Sequence, residues 1–245
     1  MTLGHILENE FSDLDIFWKL EVSVNGYKSF NGLELVTQAS SGRFFKIINS
    51  SFLNDFGRIK VQLLEDGYIC WLDVSFLKGH IHKSDSWEPT LLAAAEVESR
   101  IDLALSWIEK ASLIDNKYLW GGTLGPNFDC SGLVQAAFSL QDIWLPRDAY
   151  QQEKFCETVL LSVDNLTYLK PGDLLFFGTK AICDHVAIYR GDGFYWHSSG
   201  LSHGRNGIGC DRLNANYENP VSGYYRSRLR GAGRVIRCHD GITLP

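Results

Sequence analysis

The 245-residue chain has no long apolar run. Its longest, such as Leu91–Ala95 and Leu174–Phe177, end after five and four residues, far short of the roughly 20 that cross a bilayer. It has no excess of positive charge. Lys and Arg number 23 against 29 Asp and Glu, a net charge of −6, which argues against nucleic acid as a partner and against adhesion to an anionic wall or membrane. No basic region followed by an apolar stretch opens the chain, where Glu8, Glu10, Asp13 and Asp15 stand instead; a cytoplasmic location is the expectation. The six cysteines, at 70, 130, 156, 183, 210 and 238, contain no CxxC, so free thiols are expected and not a disulfide framework. Cys183 and His185 stand two apart, but nothing nearby completes a tetrahedral zinc set, and no metal or cofactor is expected. Internal repeats and low-complexity tracts are also missing.

What is present suffices for one large domain or two modest ones, with 45% hydrophobic residues, ordinary for a globular chain. From 16 to 77 the pattern is all-β. Runs at Phe17–Val24, Gly32–Gln38, Phe44–Ile48, Ile59–Leu64 and Tyr68–Leu72 are separated by Gly, Asn, Ser and Asp, which predicts a small barrel. A polar connector over about 78–90 ends at Pro89. A helix is expected over 90–111, started by Pro89 or Thr90 and striped by Leu91, Leu92, Ala95, Ile101, Leu105 and Ile108. After a polar stretch to about 170 come strand-like segments at Asp173–Phe177, Asp184–Arg190, Phe194–His197 and Gly223–Leu229. The plan is α+β, with domains at 1–86 and 87–245.

The richest stretch is Tyr118-Leu-Trp-Gly-Gly-Thr-Leu-Gly-Pro-Asn-Phe-Asp129-Cys130-Ser131-Gly132. Asp129 is a good N-cap, and Leu133, Val134, Ala137 and Phe138 follow at helical spacing, so Cys130 is predicted as the first helical residue. The free N–H groups and dipole there favour an anion, which predicts an easily ionised thiol. A cysteine nucleophile needs a base, and the base an orienting partner. His185, Ala187 and Tyr189 share one strand face. If Gly191-Asp192-Gly193 is a three-residue hairpin loop, Arg190 pairs with Phe194 and His197 lies opposite Ala187. His185 and His197 are then diagonal neighbours roughly 7–8 Å apart. A two-residue loop would part them.

Together, Tyr118-x-Trp-Gly-Gly, Asp129-Cys-Ser-Gly, Lys170-Pro-Gly-Asp-Leu-Leu-Phe-Phe, Asp184-His-Val-Ala-Ile-Tyr and His197-Ser-Ser-Gly resemble the NlpC-type peptidoglycan cysteine peptidases over about 112–230. The resemblance implies a papain-like fold, helices packed on an antiparallel sheet, and hydrolysis of the bond between γ-D-glutamate and an L-diamino acid in wall peptides. It maps the nucleophile to Cys130, the base to His185, the third member to His197 and the motif tyrosine to Tyr118, with Asp129 and Ser131 as substrate contacts.

The first domain, through Val36–Arg43 and Glu65–Leu72, resembles the bacterial SH3-like domain of cyanobacterial and Bacillus-type members. There the small domain closes one end of the groove, and Tyr68 matches a tyrosine that helps hold a free L-Ala amine. Relatives often read Tyr-Pro-Gly-Trp at this point, where this chain has Tyr68-Ile69-Cys70-Trp71. The implied substrates are released murein peptides such as L-Ala-γ-D-Glu-diaminopimelate, with Asp129 favoured over Glu65 and Asp66 as the acid that meets the amine. An amidase or acyltransferase on the same fold, or a silent peptidoglycan-binding module, are the alternatives. His203 reads as a loop surface residue, Arg226, Arg228 and Arg230 as a solvated strand face, and the five other cysteines as structural.

Overall fold

The computed structural model describes residues 16–48, 57–161, 165–214 and 219–242. They fall into two compact units. The described residues up to Pro89, joined by Asp240, Gly241 and Ile242, make the first; Thr90–His239 make the second. The expected second domain thus gives up its last described residues to the first. Gln62 Nε2 donates to the Gly241 carbonyl at 3.2 Å.

The first unit holds β1 (Phe17–Leu20), β2 (Val24–Tyr27), β3 (Leu35–Ala39), β4 (Phe44–Ile47), β5 (Arg58–Leu63), β6 (Ile69–Asp73), the one-turn helix α1 (Val74–Leu77) and β7 (Ile81–Ser84). They form one antiparallel sheet in the order β3-β2-β6-β5-β4-β1-β7, the strand-rich SH3-like region the sequence predicts. Alternate residues of each strand turn to one side, and Trp18, Leu20, Phe45, Ile47, Val61, Leu63, Cys70 and Leu72 make the core. Two details differ from expectation. The single run Phe17–Val24 is two strands, broken at 21–23. The polar connector contains β7, which pairs with β1 from Phe17↔Ser84 to Leu20↔Ile81. A ladder is made by backbone, so a polar segment serves at an edge without an apolar signature.

The second unit runs α2 (Ala94–Ser112), α3 (Cys130–Ser139), α4 (Ala149–Phe155), β8 (Glu157–Val159), β9 (Leu174–Gly178), β10 (Cys183–Gly191), β11 (Phe194–Ser199), β12 (Gly207–Arg212), α5 (Pro220–Arg226) and β13 (Leu229–Arg234). Its antiparallel sheet has the order β12-β11-β10-β9-β13-β8. β9 reads as a continuous apolar run because both its faces are buried. Leu174 and Phe176 join Val186, Ile188 and the residues of α3 in one core. Leu175 and Phe177 join Ala187, Tyr195 and Tyr225 in another. The segment expected as a strand from Gly223 is helix α5 instead. Asn219 caps it, its side chain accepting from the N–H groups of Val221 and Ser222, and Pro220 starts it; the strand begins only at Leu229. Helix α2 starts at Ala94, where Glu96 accepts from the Ala93 N–H at 2.8 Å. No described helix is long and apolar enough to cross a membrane.

Candidate active site

The loop before α3 is folded on itself. Tyr118 bridges Phe128, the Asp129 N–H donates to the Gly122 carbonyl at 3.1 Å, and Asp129 caps α3 by accepting from the Gly132 N–H at 2.7 Å. Gly132 is required. A Cβ there would sit 2.0 Å from the Gly122 carbonyl oxygen, so a side chain would push the loop off the helix. This packing seats Cys130 as the first helical residue, where the backbone N–H groups of Ser131 and Val186 favour its thiolate.

Val186 follows His185 on β10, and the β10–β11 hairpin brings in His197. Its turn is two residues, Asp192 and Gly193, with φ of 54° and 81°. This is the left-handed pair that Asp-Gly favours. Such a turn alone would separate the histidines. A bulge restores them: Gly191 pairs with Phe194, yet Tyr189 pairs with Tyr195 and Ile188 with Trp196. The extra residue, Arg190, shifts the register by one, so the expected pairing holds beyond the turn through a different loop. His185 Nε2 and His197 Nδ1 lie 2.9 Å apart. The Tyr225 ring stacks on His185, with centroids 4.3 Å apart, and meets His197 edge-on at 4.7 Å.

The pair continues into a residue that sequence reasoning misses. His197 Nε2 is 2.7 Å from Asp211 Oδ2. Arg205 grips the same carboxylate through Nε at 3.0 Å and Nη2 at 2.7 Å, and the Ser222 hydroxyl donates to Oδ1 at 3.0 Å. The signal that could have found Asp211 is the one that placed His185. His197 pairs with Gly209, so Asp211, two further along β12, is its diagonal neighbour. Arg205, from the loop expected to be mere surface, and Tyr225, from a segment expected to be strand, are missed for want of the same tertiary information.

Electrostatics correct one expectation. Burial pushes the Cys130 thiol up to about 12, aided by the Asp129 charge, and outweighs the two backbone donors and Arg147 that pull it down. Burial, with His197, His203 and Arg228 adding to it, holds His185 well below its ordinary 6.5. Both shifts favour the uncharged thiol and the neutral imidazole. The helix start lowers the cost of a thiolate without producing one at rest.

Asp129 and Ser131 flank Cys130, but their side chains are committed. Arg147, 1% exposed, donates from Nη1 to Asp129 Oδ1 at 3.1 Å and to the Ser131 hydroxyl at 2.9 Å, and from Nη2 to Asp129 Oδ2 at 2.5 Å. The Gly121 N–H takes another position on Asp129 at 2.8 Å. The charge expected to meet a substrate ammonium is already shared with these donors. Glu65 and Asp66 are likewise spent on the buried Arg43, at 3.0 and 2.7 Å. Tyr68 lies in the first unit, half-buried against its core, with its N–H donating to Asp66 Oδ1 at 3.1 Å.

A cleft of about 350 Å³ opens beside His185, lined among others by Tyr118, Trp120, Asp184, His203, Tyr224 and Arg228. Arg228 is no idle strand residue: it pairs with Asp184 at 2.5 Å. Arg230 pairs with Glu153, and Arg226 on α5 donates to the Asn214 carbonyl. Among the described residues no group of three or more His, Cys, Asp or Glu could hold a metal ion.

A buried cysteine at a helix N-terminus, packed against a strand whose histidine is hydrogen-bonded to a second histidine, is the arrangement of a candidate cysteine-hydrolase site. Residues 115–234 match the model of the NlpC/P60 family, and residues 27–77 match that of the bacterial dipeptidyl-peptidase Sh3 domain; the chain carries a domain of each, and NlpC/P60 peptidases are cysteine hydrolases. Among curated proteins, the chain is 40% identical over 110 residues to a gamma-DL-glutamyl hydrolase of Bacillus subtilis, covering 43% of this chain and 25% of that one. It is 42% identical over 84 residues to a gamma-D-glutamyl-L-lysine dipeptidyl-peptidase of the same organism, covering 33% and 27%. The chain thus spans about a quarter of the length of these relatives. Among solved structures, an NlpC/P60 family protein from Bacillus cereus matches at 23% identity with a TM-score of 0.45, over 93% of this chain and 66% of that one.

Proposed function

We propose that this protein is a cysteine peptidase that cleaves the bond between γ-D-glutamate and an L-diamino acid in small, released murein peptides with a free N-terminal L-Ala, as a step in wall-peptide recycling in the cytoplasm. The observation that carries the reading is Cys130 at the start of α3, packed in one core with Val186 next to His185, with His185 backed by His197. The substrate class is supported by the domain pair. A Sh3 domain of the dipeptidyl-peptidase kind accompanies the NlpC/P60 domain, and a dipeptidyl-peptidase removes two residues from a free N-terminus.

In the proposed reaction, His185 takes the Cys130 thiol proton as the sulfur attacks the γ-carbonyl carbon. Burial favours the neutral form of both groups, so charge separation accompanies attack, and the buried site stabilises the pair only when both ions form together. The Cys130 N–H, with Tyr118 as second donor, would meet the oxyanion. The imidazolium gives its proton to the leaving diamino-acid nitrogen, the C–N bond breaks, and a γ-glutamyl thioester remains. Water, deprotonated by His185, then releases L-Ala-D-Glu and regenerates the thiol.

The test is the purified chain on L-Ala-γ-D-Glu-diaminopimelate, on the same peptide N-acetylated, and on intact wall, with products read by mass spectrometry. Free diaminopimelate from the first substrate is expected. N-acetylation should cost at least about 2 kcal/mol in kcat/KM, typical of a lost charged hydrogen bond. No product from the free tripeptide, or release of L-Ala alone, would overturn the reading.

A further inference from the structure

We propose that Asp211 is a positioning residue which, through His197, fixes the tautomer of His185 and so decides which of its nitrogens is basic. The inference deepens the cysteine-peptidase reading and rests on it for its consequence, though not for its geometry. An ionised carboxylate only accepts hydrogen bonds. The 2.7 Å contact from His197 Nε2 to Asp211 Oδ2 therefore places the His197 proton on Nε2. A neutral imidazole has one N–H, so His197 Nδ1 carries the lone pair. The 2.9 Å contact from His185 Nε2 to His197 Nδ1 must then be a donation by His185. Its proton sits on Nε2, and Nδ1 is the nitrogen left to receive the thiol proton.

The premises hold independently. Burial disfavours charge on both histidines, and it outweighs Asp211's pull on His197. Burial also opposes charge on Asp211, but hydrogen bonds from His197 and Arg205 hold its carboxyl down at about 2. Arg205 and Ser222 occupy the rest of the carboxylate, so it can neither turn nor gain a proton cheaply. When the thiol proton reaches His185 Nδ1, the imidazolium keeps its proton on Nε2. Its charge is stabilised along the chain to Asp211, and no proton has to leave. Without Asp211, His197 is free to present Nδ1–H. His185 would then have to accept at Nε2 and carry its own proton on Nδ1, the wrong nitrogen for a base.

The experiment uses the whole chain with ¹⁵N-labelled histidine at a pH above the histidine range. Two-bond ¹H–¹⁵N spectra separate pyrrole-like from pyridine-like ring nitrogens and need no substrate. The expected result is Nε2–H with pyridine-like Nδ1 for both His185 and His197. A proton on His185 Nδ1, or an averaged pair, would overturn the proposal even if the enzyme is active; the predicted spectrum with no peptidase activity would leave it standing and sink the function. The variant Asp211→Ala combined with Arg205→Ala avoids a stranded guanidinium. It should mix the tautomers and lower kcat at least about tenfold, with KM within about twofold. Unchanged tautomers, with or without loss of activity, would reduce Asp211 to a structural role. If the double variant does not fold, the wild-type spectrum still decides.

Discussion

Cys70 and Cys130 make a controlled comparison within one chain. Both are buried, and burial pushes both thiols up to about 12. Each stands beside an aspartate that raises it further and an arginine that lowers it: Asp66 and Arg43 for Cys70, Asp129 and Arg147 for Cys130. Each arginine is buried and forked onto acidic side chains. The settings differ in what else reaches the sulfur. Cys70 lies mid-strand in β6, opposite Val61 on β5, packed into a sheet core. Cys130 begins a helix, where two backbone N–H groups favour its anion, and it packs in one core with Val186, the neighbour of His185 on β10. On the proposed mechanism, resting acidity therefore does not mark the nucleophile. What marks it is an environment able to receive the proton and hold the anion once substrate arrives.

The largest break of this comparison is the paired truncation. Cys130→Ala should lower kcat by roughly 10⁴-fold or more while peptide still binds. Cys70→Ala should leave kcat per folded molecule unchanged and cost about 1–3 kcal/mol from the cavity it leaves. Tripeptide kinetics beside urea melts read both, and loss of turnover in the Cys70 variant would erase the distinction.

The parts of this site legible in the sequence are those set locally. An N-cap aspartate, helical periodicity after Cys130 and a glycine-flanked loop between two apolar runs each act over a few residues, so Cys130 at a helix start and His185 beside His197 can be read from the chain alone. Even there the route is hidden. A two-residue turn plus a bulge at Arg190 gives the register that a three-residue loop would have given, and sequence does not distinguish them. Arg147, Arg205 and Asp211 are illegible for a different reason. Their partners lie 18, 6 and 14 residues away and depend on how strands and helix ends stack. Nor does a sequence show that the acids expected at the amine, Asp129, Glu65 and Asp66, are already paired with arginines. An unpaired and a buried, arginine-paired carboxylate look alike in a sequence.

Breaking the arginine forks comes next in size. Arg43→Met and Arg147→Met each strand buried carboxylates, and each should cost about 3–5 kcal/mol. They should part in activity at a temperature where both remain folded. Arg43→Met leaves the nucleophile's helix start intact. Arg147→Met removes a charge that favours the Cys130 thiolate and frees the Asp129 charge that opposes it, so kcat and the rate of iodoacetamide labelling at Cys130 both fall. Equal kcat in the two variants would mean that the forks are structural alike.

Acid should sharpen the contrast with a smaller effect. His185 and His197 are held below their ordinary 6.5 by burial first, whereas in the unfolded chain they titrate near that value. The unfolded chain thus binds more protons as pH falls below 6.5, and stability present above that pH is lost progressively below it. Asp211, held at about 2 against 3.8, extends the loss at lower pH. The described histidines of the first unit, His80 and His82, are exposed, so the acid-labile unit is the one that carries Cys130. The urea midpoint of that unit, followed by a probe on α3, should be lower at pH 5.5 than at pH 7.5. A higher midpoint in acid would contradict neutral buried histidines.

The smallest change tests what the Ser131 side chain is for. Its hydroxyl accepts from Arg147 at 2.9 Å and donates to Asp129 at 3.3 Å, while its backbone N–H favours the Cys130 thiolate. Ser131→Ala removes only the first two contacts. Arg147 keeps both oxygens of Asp129, so the cost should be about 1 kcal/mol, the net worth of an ordinary hydrogen bond, with kcat and KM both near wild type. A rise in KM at unchanged kcat would instead show the hydroxyl touching substrate in the ground and transition states alike, restoring the contact that the family resemblance implies. In that case Arg147 would do more for the Cys130 site than Arg43 does for Cys70: it would hold a substrate-facing hydroxyl as well as a helix cap.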